Sequence, residues 1–491
     1  MNPFYTATDH FVLVPAIMLV MFACGVFLID FFGPSGKQQA RLLLGFVTLG
    51  LVSSAYALWK QFMFLVDQHM TSMTAFHGAL TVDGFSLFFN WLFLAASLIV
   101  ILVSYRYLEI EDEHNAEYYG LLLLANCGMF FLATGSDLIT LFIGLELMAL
   151  SFYIMVGYLR RDKRSNEAAL KYMLLGAFSS GFLVYGFSVM YGISGSTNLN
   201  EIGQAIAARD TWDPMVFLAF ATTTVGLLFK ISAVPFHMWA PDAYEGAPTP
   251  VTAYLSVASK AASFAFLLRI FLGPLESIRA VWMPVLAVIA ILTMTVGNLA
   301  AISQTNVKRL LAYSSISHAG YMLLGLIAGN STGIKGIAVY LLVYTFMNLG
   351  AFLVIVTLRR KDIIGDDIED LSGLMHKSPG YAVLMLIFMA SLAGIPPTAG
   401  FLGKYYIFLS LIETQHYVLA VIATLYVAVA VYYYFRVVRS MFVNEAADKL
   451  PVASSFGLRL AAGVTGAMTL AMGIFPEYFL RLAQISTSVL R

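Results

Sequence analysis

Long apolar stretches, each about the length needed to cross a bilayer, follow one another along almost the whole chain. A helix that spans the hydrocarbon core needs about 20 residues that are mostly apolar. By that measure the pattern predicts fourteen spans, near residues 11–32, 42–60, 83–103, 117–134, 138–158, 167–192, 215–237, 248–272, 280–302, 308–328, 334–358, 380–412, 416–440 and 456–475. We therefore expect an all-α polytopic membrane protein without a soluble domain.

The composition agrees with this class and excludes several functions. Hydrophobic residues make up 60% of the chain and charged residues 11%, whereas soluble domains carry about 25% charge. Two cysteines are too few for a four-thiolate iron–sulfur cluster, and the sequence has no Walker motif or glycine-rich phosphate loop. The chain is thus expected to hold no cofactor or metal, and any uphill ion movement would draw its energy from another polypeptide.

Lysine and arginine concentrate in the loops that follow odd-numbered spans. These residues are Lys37, Arg41, Arg160, Arg161, Lys163, Arg164, Lys308, Arg309, Arg359, Arg360, Lys361, Lys377, Arg436, Arg439 and Lys449. The positive-inside rule assigns their side to the cytoplasm, which predicts a bacterial inner membrane protein with both termini in the periplasm. The loop after the third span is acidic, and it is either solvated or faces a partner subunit through Glu109, Glu111, Asp112, Glu113 and Glu117.

Four ionisable residues lie deep inside apolar stretches and are the strongest chemical signal in the chain. They are Glu146 in the fifth span, Lys230 in the seventh, Lys260 in the eighth and Lys404 in the twelfth. A charge at the centre of a bilayer costs roughly 2.5–3.5 kcal/mol on insertion scales. Residues of this kind mark ion or proton pathways, so proton movement is the default hypothesis.

Two spans contain helix-breaking residues close to one of these lysines. In the seventh span Pro235 follows Lys230, and in the twelfth span Pro396 and Pro397 precede Lys404. Proline removes a backbone donor and clashes with the preceding turn, and the freed backbone groups must face protein or water at membrane depth. Broken helices near the midplane are associated with transport sites. An ordinary proline kink beside a snorkelling lysine is the alternative.

Three long motifs establish a resemblance to a known family. They read LFKISAVPFHMWAPDAYEGAPTPV at residues 228–251, VKRLLAYSSISHAGY at 307–321 and LAGIPPTAGFLGK at 392–404. The motifs strongly resemble the signatures of the antiporter-like membrane subunits of respiratory complex I, and the similarity runs over nearly the whole chain. The chain is most similar to the subunit N group, called subunit 2 in mitochondria and chloroplasts. The buried residue of its twelfth span is lysine, where subunit M carries glutamate, and it ends soon after the fourteenth span, without the lateral helix of subunit L.

The resemblance implies two inverted five-helix repeats, in spans 4–8 and 9–13, with broken helices at spans 7 and 12. A single membrane domain would then divide into four parts. The parts are helices 1–3 (residues 1–110), the first repeat (111–275), the second repeat (276–442) and a C-terminal helix 14 (443–491).

The resemblance also assigns roles to the four buried residues. Glu146 and Lys230 would form an ion pair, Lys260 would be the central connecting lysine, and Lys404 would be the terminal lysine near the outer half-channel. These types suit proton transfer, because a lysine in apolar surroundings tends to lose its proton and a carboxylate within about 4–6 Å favours the charged form. Opening and closing of the pair would switch Lys230 between proton-holding and proton-releasing states.

Other side chains carry weaker signals with open alternatives. His237, just after the seventh-span break, and His318, in the tenth span, would be candidate relay groups, or else a carbonyl cap and a satisfied core histidine. Lys171, one turn into the sixth span, either snorkels to the membrane surface or takes part in proton uptake. Asp83, at a span edge, is expected to be solvated.

The resemblance implies a non-redox subunit of a proton-translocating NADH:quinone oxidoreductase. NADH, FMN, iron–sulfur clusters and quinone would be bound by partner subunits, and the neighbours would be lipids, subunit M and the small subunits K, J and A. Two alternatives remain open, namely a subunit of a multi-subunit Na⁺/H⁺ antiporter and a structural subunit that has lost transport. Exchange driven by sodium, without a quinone reductase partner, would distinguish the antiporter.

Overall fold

The structure is a computed structural model and describes residues 5–33, 36–113, 115–360, 365–446, 452 and 454–488. It is helical apart from one hairpin, β1 (Ser72–Ala75) and β2 (Leu80–Asp83). In chain order the helices are α1 (Ala7–Phe32), α2 (Lys37–Asp67), α3 (Gly84–Glu111), α4 (Ala116–Thr134), α5 (Leu138–Val156), α6 (Lys163–Ser194), α7 (Leu199–Ala207), α8 (Pro214–Lys230), α9 (Trp239–Gly246), α10 (Thr249–Tyr254), α11 (Lys260–Phe271), α12 (Arg279–Ile302), α13 (Val307–Ala328), α14 (Ser331–Leu358), α15 (Leu374–Lys377), α16 (Pro379–Ala393), α17 (Ala399–Glu413), α18 (Tyr417–Val443), α19 (Phe456–Ile474) and α20 (Pro476–Thr487).

The predicted class, an all-α polytopic membrane protein, is confirmed. Within the described residues, twelve helical segments are long and apolar enough to cross a membrane, and two shorter apolar helices, α8 and α16, accompany them. Both short helices stand at the predicted breaks. The seventh span consists of α8 and α9, and the twelfth of α16 and α17. The eighth span is continuous but contains a π-helical turn at Leu255–Ser259, between α10 and α11.

The first helix of the seventh span, α8, ends before the predicted residue 237. Helix α8 stops at Lys230, and Ser232 then adopts a left-handed backbone with a φ of 60°. This conformation is rare in residues other than glycine and cannot continue a right-handed helix. The peptide bonds before Pro235 and Pro397 are cis.

The loops after several odd-numbered spans contact one another, which agrees with the prediction that they share a side; contacts between them were not predicted. Arg359 Nε lies 2.5 Å from a Glu111 carboxylate oxygen, and Arg160 lies 3.7 Å from Glu117. The acidic loop after the third span therefore pairs with basic residues of the same chain, on the same side as the loops after the fifth and eleventh spans. The basic residues Lys361 and Lys449 lie outside the described residues.

The opposite side carries small elements that the hydrophobic pattern did not predict. The hairpin β1–β2 pairs Ser72 with Asp83 and Ala75 with Leu80, and α7 lies within the polar stretch before α8. Asp213 caps α8 by accepting a hydrogen bond from the Met215 amide at 2.8 Å. A hydrogen bond from Arg209 lowers the pKa of the Asp213 carboxyl, which keeps a negative charge at the positive end of the helix dipole.

Asp83 corrects one sequence-based expectation, since it is buried and not solvated. It is 1% exposed, caps α3 through the Ser86 amide at 2.7 Å, and lies 3.1 Å from Arg269 of α11. Arg269 also donates to the Ala133 carbonyl at 2.9 Å. A buried aspartate of this kind needs a paired charge, and the pair comes from a position 186 residues away, which local sequence cannot reveal.

The core of the molecule is formed by the eighth, tenth and eleventh spans. Nearly every residue of Thr249–Phe271, Val307–Ala328 and Ser331–Leu358 is buried. By contrast, α6 and α18 present exposed apolar side chains such as Phe178 and Val418. Apolar side chains can face lipid without cost, whereas polar groups at membrane depth must be shielded from hydrocarbon by neighbouring protein.

Candidate functional site

Lys230 is the last residue of α8 and ends in an aromatic pocket. The side chain is 5% exposed, and its Nζ has no hydrogen-bond partner among the described residues. The Nζ lies 5.9 Å from the centroid of the Tyr153 ring and 5.8 Å from that of Phe229. Aromatic faces attract a cation but offer no proton acceptor of comparable strength, so the amine is free to exchange a proton with water or a carboxylate.

Glu146 is half-buried on α5 and accepts a hydrogen bond from Ser180 Oγ of α6 at 2.5 Å. Across the described residues, no ion pair within 4.0 Å joins Glu146 to Lys230. The expected pair is thus apart in this structure. Tyr153 Oη, Thr223 Oγ1 and Ser232 Oγ are also buried without a partner in the described part of the chain, and orphaned buried polar atoms of this kind commonly bind internal water.

The break after Lys230 is held by side chains from α9 and α12. Trp239 Nε1 of α9 donates to the Phe229 carbonyl at 2.9 Å, and the Val234 amide donates to Thr293 Oγ1 of α12 at 3.0 Å. His237 lies in the break, half-buried, with a buried Nδ1 that has no partner among the described residues. The structure therefore gives His237 no bond to any of the buried lysines.

Lys260 begins α11 immediately after the π-helical turn and is 2% exposed. Its Nζ donates to the Ser315 carbonyl of α13 at 2.7 Å and also to Ser315 Oγ. A π turn widens the helix by one residue and is frequent at functional sites. Within that turn Ser256 Oγ accepts from Asn348 Nδ2 of α14 at 2.7 Å, which links all three core spans around Lys260.

His318 stands one turn beyond Ser315 on α13 and is 1% exposed. Its Nδ1 lies 2.6 Å from Tyr340 Oη of α14, and its Nε2 lies 3.0 Å from Tyr434 Oη of α18. Residues three apart share one helix face, so the imidazole and the Ser315 that binds Lys260 face the same space. Both ring nitrogens hold exchangeable hydrogen bonds, as a relay group requires.

Lys404 lies in the first turns of α17 and points back across the second break. Its Nζ donates to the Leu392 and Ala393 carbonyls at 3.0 and 2.9 Å, at the end of α16. A cation at a helix C-terminus is favoured by the helix dipole. The Nζ also lies 5.3 Å from the Tyr321 ring, whose centroid is 6.3 Å from that of His318.

Gly394 is required at this break. Its φ is +86°, a conformation that disfavours other residues. A Cβ at this position would lie 2.8 Å from Lys404 Cδ, so the missing side chain leaves the space through which the lysine reaches the carbonyls.

Lys171 stands apart from these buried groups. It is exposed and pairs with Glu167 at 2.8 Å and with Asp242 of α9 at 2.9 Å. Together with Arg309 these residues line a polar pocket of about 260 Å³. Lys171 is thus part of an ion-pair cluster at the end of the bundle that carries the basic loops.

Glu146, Lys260 and His318 are each bound by hydroxyl groups that the sequence did not single out. These partners are the hydroxyl groups of Ser180, Ser315, Tyr340 and Tyr434. Serine and tyrosine are common in apolar helices, so no local signal separates them from packing residues. Within the described chain, no group of three or more His, Cys, Asp or Glu side chains could hold a metal ion.

Comparison with known proteins shows which family shares this arrangement. Residues 135–430 match the family described as NADH:quinone oxidoreductase/Mrp antiporter, TM. The chain is 69% identical over 484 residues to NADH-quinone oxidoreductase subunit N 2 of Solibacter usitatus, with 98% of each chain covered. It is 53% identical over 490 residues to NADH-quinone oxidoreductase subunit N 1 of Koribacter versatilis, covering 98% of this chain and 96% of the relative.

Solved structures share the fold. A chain of respiratory complex I from Thermus thermophilus with bound aureothin superposes with a TM-score of 0.80 at 33% identity, covering 96% of this chain and 99% of the other. A chain of the Mrp complex from Dietzia sp. DQ12-45-1b gives a TM-score of 0.83 at 21% identity, covering 99% and 98%, and at that identity shows the fold alone. The chain therefore belongs to the subunit N family of NADH-quinone oxidoreductase, whose members are antiporter-like membrane proteins.

Proposed function

We propose that this chain moves protons across the membrane as a non-redox subunit of NADH:quinone oxidoreductase, through Glu146, Lys230, Lys260, His318 and Lys404. The observation that carries the proposal is a series of buried proton-exchanging side chains across the core. Each of the three lysines is at most 5% exposed. Buried charges without a use destabilise a membrane protein, so their retention on four different helices supports transport over a purely structural role.

The proposed path begins at Glu146 and Lys230. With the pair apart, Lys230 Nζ lies near two aromatic rings and has no hydrogen-bond partner among the described residues, which suits release of its proton to internal water. Closure against the Glu146 carboxylate would favour the charged lysine. Alternation between these arrangements would let Lys230 take up and release one proton in each cycle.

The path continues through the core to the second break. Lys260 is bonded to Ser315, and His318 lies one turn further along the same helix. A proton leaving Lys260 would pass by water or hydroxyl groups to the imidazole, and then toward Lys404 past Tyr321. Charges on neighbouring buried groups repel, so their titrations are coupled and arrival of one proton promotes departure of the next. His237 is a candidate relay group nearer the first break.

The positions of the two breaks support two inverted repeats, residues 111–275 and 276–442. Each broken span is the fourth of its five, and each break has a buried lysine beside it, Lys230 or Lys404. Inverted repeats with discontinuous helices near the midplane are a recurrent design of transport proteins. Residues 1–110 and 443–491 would add helices outside the repeats.

Redox chemistry would take place in partner chains. The relatives named above are subunits of NADH-quinone oxidoreductase, so this chain would sit in a multi-subunit complex beside subunit M and the small subunits K, J and A, surrounded by lipid. NADH, FMN, iron–sulfur clusters and quinone would be held by partner subunits. The basic loops predict a bacterial inner membrane location with both termini in the periplasm.

A cation/proton antiporter subunit is the second candidate, since a chain of the Mrp complex has the same fold. The identity of 69% to a subunit N relative favours the first function. Pumping that persists in sodium-free buffer would separate the two, because an antiporter requires its counter-ion.

NADH-driven proton uptake by membrane vesicles tests the proposal in the assembled complex. Lys230→Ala is expected to abolish pumping and quinone-linked NADH oxidation while the complex assembles normally on a native gel. Lys60→Ala is the matched control, because Lys60 is exposed and packs on surface aromatic rings; it should behave as the parent. Normal pumping by Lys230→Ala would contradict the proposal and favour a structural subunit.

A further inference from the structure

The half-helix α9 lies between the two halves of the molecule. It packs against α6 of the first repeat on one side and α13 of the second repeat on the other. Its N-terminal residue Trp239 bonds the carbonyl next to Lys230, and its C-terminus leads into the span that carries Lys260. Any shift of α9 would therefore reach the surroundings of both lysines.

Charged side chains fasten α9 to these two neighbours. Asp242 lies 2.9 Å from Lys171 of α6 and 2.8 Å from Arg309 of α13. Arg309 also reaches Glu245, one turn further along α9, at 2.8 Å. Because one guanidinium spans two carboxylates on the same helix face, the cluster fixes α9 along its axis as well as against α13. We call Lys171, Asp242, Glu245 and Arg309 the latch.

A buried lysine strengthens this attachment. Lys308, next to Arg309, donates to the Ala247 carbonyl just beyond α9 at 2.8 Å and lies 3.3 Å from Asp366. Lys308 is 3% exposed. A cation on the carbonyl that follows the end of α9 is favoured by the helix dipole. The first residues of α13 therefore hold α9 both at its carboxylates and at its C-terminus.

Tyr244 links α9 to the hydrogen bonds of Lys260. It lies between the two latch carboxylates in sequence, is 1% exposed, and its Oη is 3.3 Å from Ser315 Oγ. Ser315 in turn accepts both hydrogen bonds of Lys260 Nζ. The Tyr244 carbonyl is itself held by Thr252 Oγ1 at 2.9 Å. The hydroxyl of Tyr244 thus aims the serine that binds the central lysine.

We propose that Asp242 and Tyr244 are positioning residues for proton transfer at Lys260, with the latch holding α9 so that Tyr244 keeps Ser315 directed at the lysine. The inference rests on the proposed function, because it assigns a cause to the geometry of one step in that path. In this proposal the ion-pair cluster at the surface and the buried Lys260 are connected through Tyr244 and Ser315.

A double-variant cycle in the assembled complex tests this link. Asp242→Asn and Tyr244→Phe should each lower NADH-driven proton pumping about two- to tenfold, the range expected for loss of one hydrogen bond. If the latch acts through Tyr244, the double variant should pump no more slowly than the slower single variant. Losses that multiply would overturn the link, since they would mean that the two residues act independently.

Amide hydrogen exchange of the same complexes separates positioning from general destabilisation. Asp242→Asn should speed exchange in α9 and leave α13 unchanged, whereas Tyr244→Phe should leave α9 as in the parent. Faster exchange throughout the subunit would overturn a local latch. If Asp242→Asn does not assemble, Arg309→Lys replaces it, because lysine keeps the charge but cannot bridge Asp242 and Glu245.

Two further variants make each outcome decisive. Glu109→Gln removes a surface ion pair with Arg106, 2.6 Å away, on the same side of the bundle, and should pump as the parent does. Lys260→Ala reports on the proposed path itself. Full pumping by Asp242→Asn and Tyr244→Phe beside an inactive Lys260→Ala would refute the latch alone, whereas full pumping by Lys260→Ala would refute the proposed function.

Discussion

At the scale of single residues, the buried amines are stabilised by neutral oxygen atoms and aromatic rings. Lys260 and Lys404 are bonded to backbone carbonyls, and Lys230 faces two rings. Carbonyl oxygens bind an ammonium ion without fixing its proton as tightly as a carboxylate would. Each amine is thus held in place while its proton remains exchangeable, which a static buried ion pair would not allow.

Glu146 allows its charge and its hydrogen bond to be tested separately. Glu146→Gln keeps an oxygen for Ser180 but removes the charge that attracts Lys230, and loss of about 1.4 kcal/mol of attraction changes a protonation equilibrium about tenfold. We expect NADH-driven pumping to fall by about that factor. Ser180→Ala, which removes the 2.5 Å hydrogen bond and keeps the charge, should pump at close to the parent rate.

Both variants should be measured in vesicles with equal amounts of assembled complex. Parental pumping by Glu146→Gln together with a loss in Ser180→Ala would show that the hydrogen bond matters and the charge does not, contrary to the switching role of the pair.

The sequence predicted the buried ionisable residues better than their partners. Lys230, Lys260 and Lys404 stand out because charge inside an apolar run is costly wherever the helix packs. Their partners depend on which helices touch, and Ser315 differs from other serines only through its position beside Lys260. Asp83 was misjudged for the same reason, since its partner Arg269 lies on a distant helix.

At the scale of secondary structure elements, the two breaks are the parts of the fold that the sequence indicated most directly. Prolines indicate where the seventh and twelfth spans are interrupted, and in both cases a lysine amine lies at the interruption. Both helices nevertheless end before the first proline, α8 at Lys230 and α16 at Ala393, where Ser232 and Gly394 adopt left-handed backbones. The hairpin β1–β2 and the short helix α7 lie in polar stretches, where hydrophobic periodicity carries no signal.

Gly394 provides a test of the second break. Gly394→Ala places a Cβ within 2.8 Å of Lys404 Cδ in a backbone with a φ of +86°, and a left-handed residue other than glycine costs about 1–2 kcal/mol. We expect lower thermal stability of the assembled complex and several-fold slower pumping, because Lys404 must leave the α16 carbonyls.

Gly380→Ala is the control, since no atom lies within 4 Å of the added Cβ and Gly380 is exposed at the start of α16. A Gly394→Ala complex with parental stability and pumping would mean that the tight approach of Lys404 is not needed.

At the scale of the whole molecule, two of the most enclosed spans carry the central residues of the proposed proton path. The eighth and tenth spans hold Lys260, Ser315 and His318, and the outer helices present apolar side chains outward. The sequence predicted the number and order of spans through their hydrophobic length. It did not predict which spans are central, because a core span and a lipid-facing span are equally apolar. That distinction comes from packing between the two halves.

The proposed proton path depends on Lys260 connecting the first half of the molecule to the second. Two independent half-channels, one at Lys230 and one at Lys404, would leave pumping intact when Lys260 is removed, because neither break is touched. A single path would not.

The most direct measurement is therefore NADH-driven proton pumping by vesicles that contain Lys260→Ala, compared with Lys335→Ala. Lys335 lies near the N-terminus of the spanning helix α14, with its Nζ 4.5 Å from the Tyr406 ring. It is not part of the proposed proton path. A single path through Lys260 predicts loss of pumping, by about 100-fold or more as for other proton-transfer groups, in Lys260→Ala alone, with assembly unchanged in both. Parental pumping by Lys260→Ala would contradict it.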